Sequence, residues 1–300
     1  MTDTQHGRTT STRTILRREI AGTIGLLADE HDFTRMRRYR SFTFDDHTAY
    51  LRQVESLLKS LAAAGGHTTV ALFDPDEYAE FCAGAGLEPD TPTSRTRFTA
   101  ELASTGPSLP YEGQPLGDLV PRLVEEAVRQ ATWEYASSVL ARTGPCPACG
   151  EDIGRTAFAH ASYLVARAID TIGEGLHHWV CSVPTGQQML LAVVHIDART
   201  PDTVRLDETS AMELTTVLAL ALVNDSPCAL VVRTTTDTSD RVYGWRLKNK
   251  RLQQLTAAQV FDAYCTDAAS GDLTAPEPGV EYCTAPEVED LAAPESRHCH

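Results

Sequence analysis

Apolar side chains in the first part of the chain recur mainly at the helical spacing of three and four residues. This spacing predicts amphipathic helices from Thr12 to Leu27 and from about Asp45 to Ala64. Between them, residues 41–44 alternate polar and apolar side chains, and residues 68–73 form a β-branched and aromatic run, so both segments are predicted strands. Because a strand, a helix and a second strand follow at short intervals, this region is predicted to form one βαβ unit with two parallel strands.

The strongest helical pattern lies in the middle of the chain. A predicted helix from Leu116 to about Thr143 carries apolar side chains on one face along almost its whole length. Such a face is typical of the spine of a hydrophobic core and also of the seam of a dimer. The sequence is compatible with both.

Alternating apolar and polar positions dominate the last third of the chain. They predict two antiparallel hairpins, one turning at residues 184–186 and the other at residues 236–240. A helix is predicted after each hairpin, because Asp207 or Ser210 and then Thr256 can cap the apolar segments that follow them. The predicted strands are residues 178–183, 188–196, 229–234 and 241–247.

Two pairs of potential metal ligands flank a predicted helix over residues 156–172. The first pair is Cys146 and Cys149, in the turn sequence Cys-Pro-Ala-Cys-Gly, and the second pair is His178 and Cys181. Together they match the spacing C-x2-C-x28-H-x2-C, and three thiolates with one imidazole suit a tetrahedral, structural Zn²⁺ site. Residues 178 and 181 of a regular strand point to opposite faces, so this site requires a turn or bulge between them.

Two other histidines compete for the position of the fourth ligand. His177 directly precedes His178, and His160 lies on the helix between the two pairs. The spacing favours His178, because C-x2-C is then matched by H-x2-C.

Asp74 and Asp76 form a second candidate site. They follow a predicted parallel strand, at the edge where α/β sheets commonly bind ligands, and two carboxylates suit Mg²⁺. In a structural alternative, Asp74 caps a helix over residues 75–84, Pro75 occupies its first position, and Asp76 with Glu77 complements the helix dipole. The structural alternative explains every residue and is favoured.

A general base is a further enzymatic hypothesis. His195 and Asp197 lie at a predicted strand end, as a base and its orienting acid would. No Ser or Cys nucleophile is placed in the sequence to complete such a site.

Charge and composition narrow the classes of partner. The formal net charge of -15 disfavours general binding to nucleic acid or to an anionic membrane, although Arg35–Arg40 form a local basic cluster around Tyr39. The longest apolar run, residues 217–223, is far shorter than the ~20 residues of a membrane-spanning helix. Eight sparse cysteines, without a signal peptide, are typical of a cytoplasmic protein.

These patterns predict an α+β protein with a zinc knuckle between its two main parts. Residues 1–40 are a basic N-terminal helix and lead-in, and residues 41–142 are an α/β domain with the βαβ unit and the long closing helix. Residues 143–267 are a zinc-knuckle and α+β domain with antiparallel hairpins, and residues 268–300 are an acidic disordered tail.

Three stretches resemble an uncharacterised family of cytosolic proteins from high-GC actinobacteria. They are Phe73-Asp74-Pro75-Asp76, the Cys-Pro-Ala-Cys-Gly turn, and Tyr243-Gly244-Trp245-Arg246-Leu247, in this order along the chain. The resemblance implies no activity, substrate or catalytic residue.

The leading interpretation is a zinc-stabilised interaction or regulatory protein that meets a protein partner or forms a homo-oligomer. A closed site with four protein ligands holds structure and leaves no open position for hydrolysis. The alternatives are a metal-dependent enzyme that uses Asp74 and Asp76 with Mg²⁺ or His195 as a base, and a nucleic-acid-binding protein that uses Arg35–Arg40.

Overall fold

A computed structural model describes residues 22–186, 189–200, 203–266 and 272–288. The chain divides into two compact units between Gln130 and Ala131. The predicted α+β class is confirmed, since helices and strands mix in both units. The division falls inside the long middle helix, whereas the hydrophobic pattern places a boundary after residue 142.

The first unit contains a three-stranded sheet. Strands β1 (Gly22–Leu26) and β2 (Thr68–Leu72) are parallel, with Gly22 opposite Thr68, and β3 (Ser108–Pro110) is antiparallel to β2. A parallel pair is therefore present, but the predicted pairing of residues 41–44 with residues 68–73 is wrong, because β2 pairs with β1. Residues 22–26, predicted to end a helix, form β1, and the rest of that predicted helix lies outside the described residues.

Residues 41–44 do not form the predicted strand. Instead, the rings of Phe42 and Phe44 pack in an aromatic cluster with Phe33 and Tyr50, at centroid distances of 5.0 to 6.0 Å. Alternation over four residues is thus satisfied by packing in a loop, without a neighbouring strand.

Beside the first part of the long middle helix, the described residues of the first unit form four helices. They are α1 (Glu30–Met36), α2 (His47–Ala63), α3 (Pro75–Ala85) and α4 (Pro92–Thr105). Asp29, Asp46, Asp74 and Thr91 cap their N-termini through side-chain oxygens, as short polar residues do at such positions.

Helix α5 (Leu116–Thr143) has the predicted length, but its apolar positions are not one continuous buried face. Leu119 and Leu123 are fully buried in the core of the first unit, whereas Val128 and Tyr135 are 57% and 42% exposed. The periodicity predicted the helix correctly, and only part of its apolar face belongs to the core of the first unit.

Among the described residues, the second unit is built on a seven-stranded sheet. Its strands are β4 (Leu176–Pro184), β5 (Met189–Thr200), β6 (Thr203–Leu206), β7 (Cys228–Thr235), β8 (Asp240–Lys248), β9 (Arg251–Gln254) and β10 (Val280–Tyr282). Six of them follow the order β10-β8-β7-β4-β5-β6, and β9 pairs with β8 beside this path. The pairs formed by these strands are antiparallel, apart from the parallel pair of β10 with β8. Both predicted hairpins, β4–β5 and β7–β8, are present.

One face of this sheet carries the core of the second unit. Helix α7 (Glu208–Asn224) packs on β4 and β5 and against α6 (Ile153–Thr171). Trp179 and Trp245 are fully buried in the same core, with ring centroids 6.2 Å apart. We call the opposite face of β4 and β5 the open face.

Successive side chains along β5 alternate between the open face and the core face. Leu191, Val193 and His195 are exposed, while the intervening Ala192 and Val194 are buried. On β4 the open face carries His178 and Val180 at intermediate exposure. This alternation is that of a sheet covered on one side.

Part of the predicted disordered tail is ordered. Helix α8 (Ala257–Tyr264) begins at Thr256 in a capping box with Gln259 and ends before the predicted tail. Within the predicted tail, β10 pairs with β8. Ala285 is only 3% exposed, so this segment is anchored by packing and by backbone pairing that composition does not reveal. Residues 289–300, including His298, lie outside the described residues. None of the helices in the described ranges combines the length and the apolar character needed to cross a bilayer.

Candidate metal centre

The structure does not assemble the four predicted zinc ligands. Cys146 and Cys149 lie in the turn between α5 and α6, whereas His178 and Cys181 lie on β4. In the described part of the chain, no three of these side chains bring their ligand atoms within 4.8 Å of one another. The predicted ligand set is therefore divided in this structure, and zinc binding itself stays a prediction.

The pleat of β4 separates the second pair of predicted ligands. β4 keeps continuous register with β5 from Leu176 to Pro184, and with β7 from Leu176 to Ser182. Successive side chains in a regular strand alternate between faces, so His178 and Cys181 point in opposite directions. The turn or bulge that joint coordination requires is absent from this strand.

Cys181 is a core residue. Its side chain is fully buried, and its Sγ lies 3.6 Å from the Sγ of Cys228 on β7. The contact with Cys228, together with burial, raises the pKa of the Cys181 thiol. The Cys181 side chain thus packs in the core, on the face of β4 opposite to His178.

The turn that carries the first pair is closed by backbone hydrogen bonds. The Cys146 N–H donates to the Glu151 carbonyl at 2.7 Å, and the Gly150 N–H donates to the Cys146 carbonyl at 2.8 Å. Gly150 has φ of 77°, in the left-handed region that favours glycine. Cys146 is half-buried and Cys149 is exposed, so the predicted tight turn presents two thiols near the surface.

Helix α6 begins close against the end of α5. A Cβ atom at Gly154 would lie 2.6 Å from the Leu140 carbonyl oxygen, so the two backbones approach at a distance that only glycine permits. The Asp152 side chain caps α6 by accepting the Arg155 N–H at 2.7 Å. These contacts hold the two ends of the Cys146–Cys149 turn.

On the open face, His178 lies beside His195 of β5. The two residues are paired in the β4–β5 register, their Nδ1 atoms are 3.3 Å apart, and their ring centroids are 4.6 Å apart. Partial burial, with the nearby His195 and Arg233 as smaller causes, lowers the pKa of His178. The ring is thereby favoured in its neutral form, which is the form that coordinates metal ions.

The two imidazoles line a cavity of about 520 Å³ on this face. Leu176 and Leu206 contribute apolar wall, and Arg205 contributes a cation. A cavity with apolar walls and a few convergent polar groups is the usual form of a small-ligand site.

The acidic and basic neighbours of the pair are engaged with each other. The carboxylate of Asp197 accepts hydrogen bonds from Arg199 Nε at 3.0 Å and Nη2 at 2.7 Å, which lower its pKa strongly. The Arg233 guanidinium donates to the carboxylates of both Glu277 and Asp240. His195 therefore contacts His178 and not Asp197, which was its partner in the general-base hypothesis.

The competing histidines lie elsewhere. His177 is buried on the core face, where its Nδ1 accepts the Thr234 hydroxyl at 2.8 Å and its Nε2–H donates to the Gly173 carbonyl at 3.2 Å. Burial lowers the pKa of His177. His160 lies partly buried on α6.

Asp74 and Asp76 adopt the structural roles that the sequence favoured. Asp74 Oδ1 accepts the N–H groups of Asp76 at 2.6 Å and Glu77 at 3.2 Å, which caps α3, and Pro75 occupies its first turn. The Asp76 carboxylate forms an ion pair with Arg35.

A small acidic group follows β1 at the same edge of the sheet. Ligand atoms of Asp29, His31 and Asp32 lie within 4.8 Å of one another, and Asp29 also caps α1. Partial burial, with Asp29 and Asp74 as smaller causes, raises the pKa of Asp32. The sequence did not reveal this group because its strand, β1, was predicted to be a helix.

Two side chains of the Arg35–Arg40 cluster make contacts inside the first unit. Arg35 forms an ion pair with Asp76, and Arg38 donates to the Pro75 carbonyl at 3.1 Å and lies over the Tyr39 ring. Arg40 contacts Asp90 through its backbone N–H, which leaves the charge of its side chain unaffected. The ion pair with Asp76 therefore neutralises one cation of this cluster, and binding of nucleic acid there stays a prediction.

His195 was the residue whose importance the ligand spacing missed. A hairpin closed by the pair Pro184 and Met189 sets the register that places His178 opposite His195. The predicted turn at residues 184–186 indicated the hairpin but not this register, because strands that end at residue 183 and begin at residue 188 would place His178 opposite Val193.

Comparison with known proteins extends only to part of the chain. Residues 11–114 match a family described as a domain of unknown function (DUF8829). No curated protein and no solved structure matches the chain. The match lies mainly over the first unit, which leaves the site on β4 and β5 to be interpreted from its geometry.

Proposed function

We propose that this protein is a zinc-binding interaction or regulatory protein, with His178 and His195 as the metal ligands. The observation that carries the proposal is the 3.3 Å separation of the two Nδ1 atoms. Zn²⁺ binds imidazole nitrogen at roughly 2.0–2.1 Å, and a tetrahedral angle then places two such nitrogens about 3.3–3.4 Å apart. The pair therefore has the spacing of two ligands of one tetrahedral ion.

The protonation of the pair is compatible with this role. At 3.3 Å the Nδ1–H of one ring donates a hydrogen bond to the Nδ1 of the other. A metal ion bound by both nitrogens replaces this shared proton. Coordination through both Nδ1 atoms requires two neutral rings, and the lowered pKa of His178 favours one of them.

The surroundings also permit a cation. Arg233 lies near His178, and an unpaired guanidinium there would oppose a divalent ion. Its charge is balanced by Asp240 and Glu277, both of which accept its hydrogen bonds. The repulsion on a metal ion is reduced accordingly.

The Cys146–Cys149 turn is a second candidate zinc site, favoured by its closed backbone geometry. Two cysteines in a C-x2-C turn supply two thiolate ligands to one ion. Cys149 is exposed and Cys146 is half-buried in this structure, in contrast with the buried Cys181. Zinc at this turn would support the interaction role without involving β4.

Zinc content of the full chain, measured by native mass spectrometry, separates the two candidates. We expect His178→Ala and His195→Ala each to lose the same fraction of bound zinc, while the double variant Cys146→Ser and Cys149→Ser retains it. His67→Ala serves as the control, since this histidine is exposed in the first unit. Unchanged zinc content in both histidine variants would refute the assignment to the pair.

A further inference from the structure

We infer that a second copy of this chain completes the His178–His195 site, so that one zinc ion joins the open faces of two molecules. This inference rests on the proposed function, because it takes the histidine pair as a zinc site. A two-fold axis through the ion would bring His178 and His195 of both copies to it and give four nitrogen ligands.

The first reason is that the site is incomplete within one chain. Zn²⁺ takes four ligands, and no third His, Cys, Asp or Glu of the described residues joins the two imidazoles within 4.8 Å. The nearest acidic candidate on the same strand, Asp197, is held by Arg199 through two hydrogen bonds. A second pair of imidazoles supplies what the single chain lacks.

The second reason is an apolar row beside the site. Met189, Leu191 and Val193 occupy alternate positions of β5 on the open face, immediately before His195, and are 55%, 48% and 37% exposed. Val180 extends this row onto β4 at intermediate exposure. Strand residues that face water are usually polar, so an apolar row at this position favours contact with another surface.

The row and the metal are expected to act together. A stable interface typically buries about 800 Å² on each partner, more than a few side chains of one strand supply. The apolar row alone would therefore associate weakly, and the shared ion adds four coordination bonds at its edge. This reasoning makes the dimer dependent on zinc.

The two copies would meet through the same surface. An isologous contact requires a patch that can face itself, and an uncharged row of Met, Leu and Val satisfies this without opposing like charges. Arg233, which lines the cavity beside the pair, donates hydrogen bonds to Asp240 and Glu277 of its own chain, so this cation is balanced. Arg205 lines the same cavity, and two facing copies would have to accommodate its charge.

Sedimentation velocity and native mass spectrometry of the full chain, with Zn²⁺ and with a chelator, test the inference. We expect a dimer that carries one zinc ion for two chains at this site, and at least about tenfold weaker association in the chelator. His195→Ala should lose both the zinc and the dimer. Leu191→Glu should give a monomer that binds zinc more weakly than the wild type, through the two histidines of one chain alone.

Met212→Glu is the matched control for Leu191→Glu. Met212 is 53% exposed on α7, so the variant adds the same charge at an exposed apolar residue away from β5. We expect it to dimerise as the wild type does. If both glutamate variants dissociate equally, the open face is not the interface and the inference fails.

Two results separate failure of the inference from failure of the proposed function. A wild-type monomer that loses one zinc ion per chain on His195→Ala would retain the zinc site and overturn the dimer. A wild type whose zinc content is unaffected by His195→Ala would overturn the zinc site itself. A dimer that persists in the chelator with unchanged affinity would also overturn the shared ion.

Discussion

His177 and His178 are neighbours on β4, and the pleat places their imidazoles in opposite environments. His177 faces the core, where Thr234 and Gly173 satisfy both ring nitrogens. His178 faces outward, where its Nδ1 contacts only another imidazole, that of His195, among the described residues. The comparison teaches that the hydrogen bonds already made by a polar side chain, and not its residue type, decide whether it is available to a ligand.

The largest contrast between the two faces should appear in stability. Trp179→Ala removes a fully buried side chain from the core face and is expected to cost about 3–5 kcal/mol. Val193→Ala on the open face should cost less than about 1 kcal/mol, since that side chain is 37% exposed. Urea unfolding followed by far-ultraviolet circular dichroism measures both, and equal losses would contradict the assignment of the faces.

The two adjacent histidines give a smaller, sharper contrast. His177→Ala should destabilise the fold by about 1–3 kcal/mol, because it removes a buried ring and its hydrogen bonds to Thr234 and Gly173. His178→Ala should stay within about 0.5 kcal/mol in metal-free protein. The same unfolding experiment applies, and a larger loss for His178 would reverse the comparison.

Asp74 extends the comparison to the first unit. Its carboxylate is satisfied by two backbone N–H groups, so Asp74→Ala should cost about 1 kcal/mol, the usual contribution of a helix cap. Asp74→Asn, which can still accept those bonds, should restore most of this stability. Loss of a Mg²⁺-dependent response in Asp74→Ala, without loss of stability, would instead favour a metal site there.

The smallest expected effect is the pH dependence contributed by His177. Burial lowers its pKa, so the unfolded chain binds the proton more tightly than the folded chain. Its contribution to stability is therefore constant above about pH 6.5 and decreases as the pH falls from there through the lowered pKa. His177→Gln should flatten this part of the profile of unfolding free energy, and an unchanged profile would contradict the burial effect.

Most regular elements could be predicted from the sequence because their signals are local. The caps Asp74, Asp207 and Thr256 each precede a helix, and the turn at 184–186 predicted the β4–β5 hairpin. β1 was missed because its short apolar run continues the period of the preceding residues, and a strand of five residues is identified only by its partner β2.

The candidate site could be predicted only in part. His178 was identified as a ligand from its spacing to Cys181, yet spacing does not reveal the face of a strand on which each residue lies. Its partner His195 follows from the register of the hairpin, which the predicted turn at residues 184–186 and the predicted strand ends did not give. The ordered segment around β10 depends on contacts with β8 and could not be inferred from its acidic, proline-containing composition.

X-ray absorption at the zinc edge, on the double variant Cys146→Ser and Cys149→Ser, tests the central claim most directly. This measurement distinguishes the two kinds of ligand by their bond length to zinc, which is roughly 2.0–2.1 Å for imidazole nitrogen and 2.3 Å for thiolate sulfur. We expect bound zinc with imidazole nitrogen neighbours only, and loss of that zinc on the further change His195→Ala. Absence of zinc from the double variant, or a sulfur neighbour in it, would contradict coordination by His178 and His195.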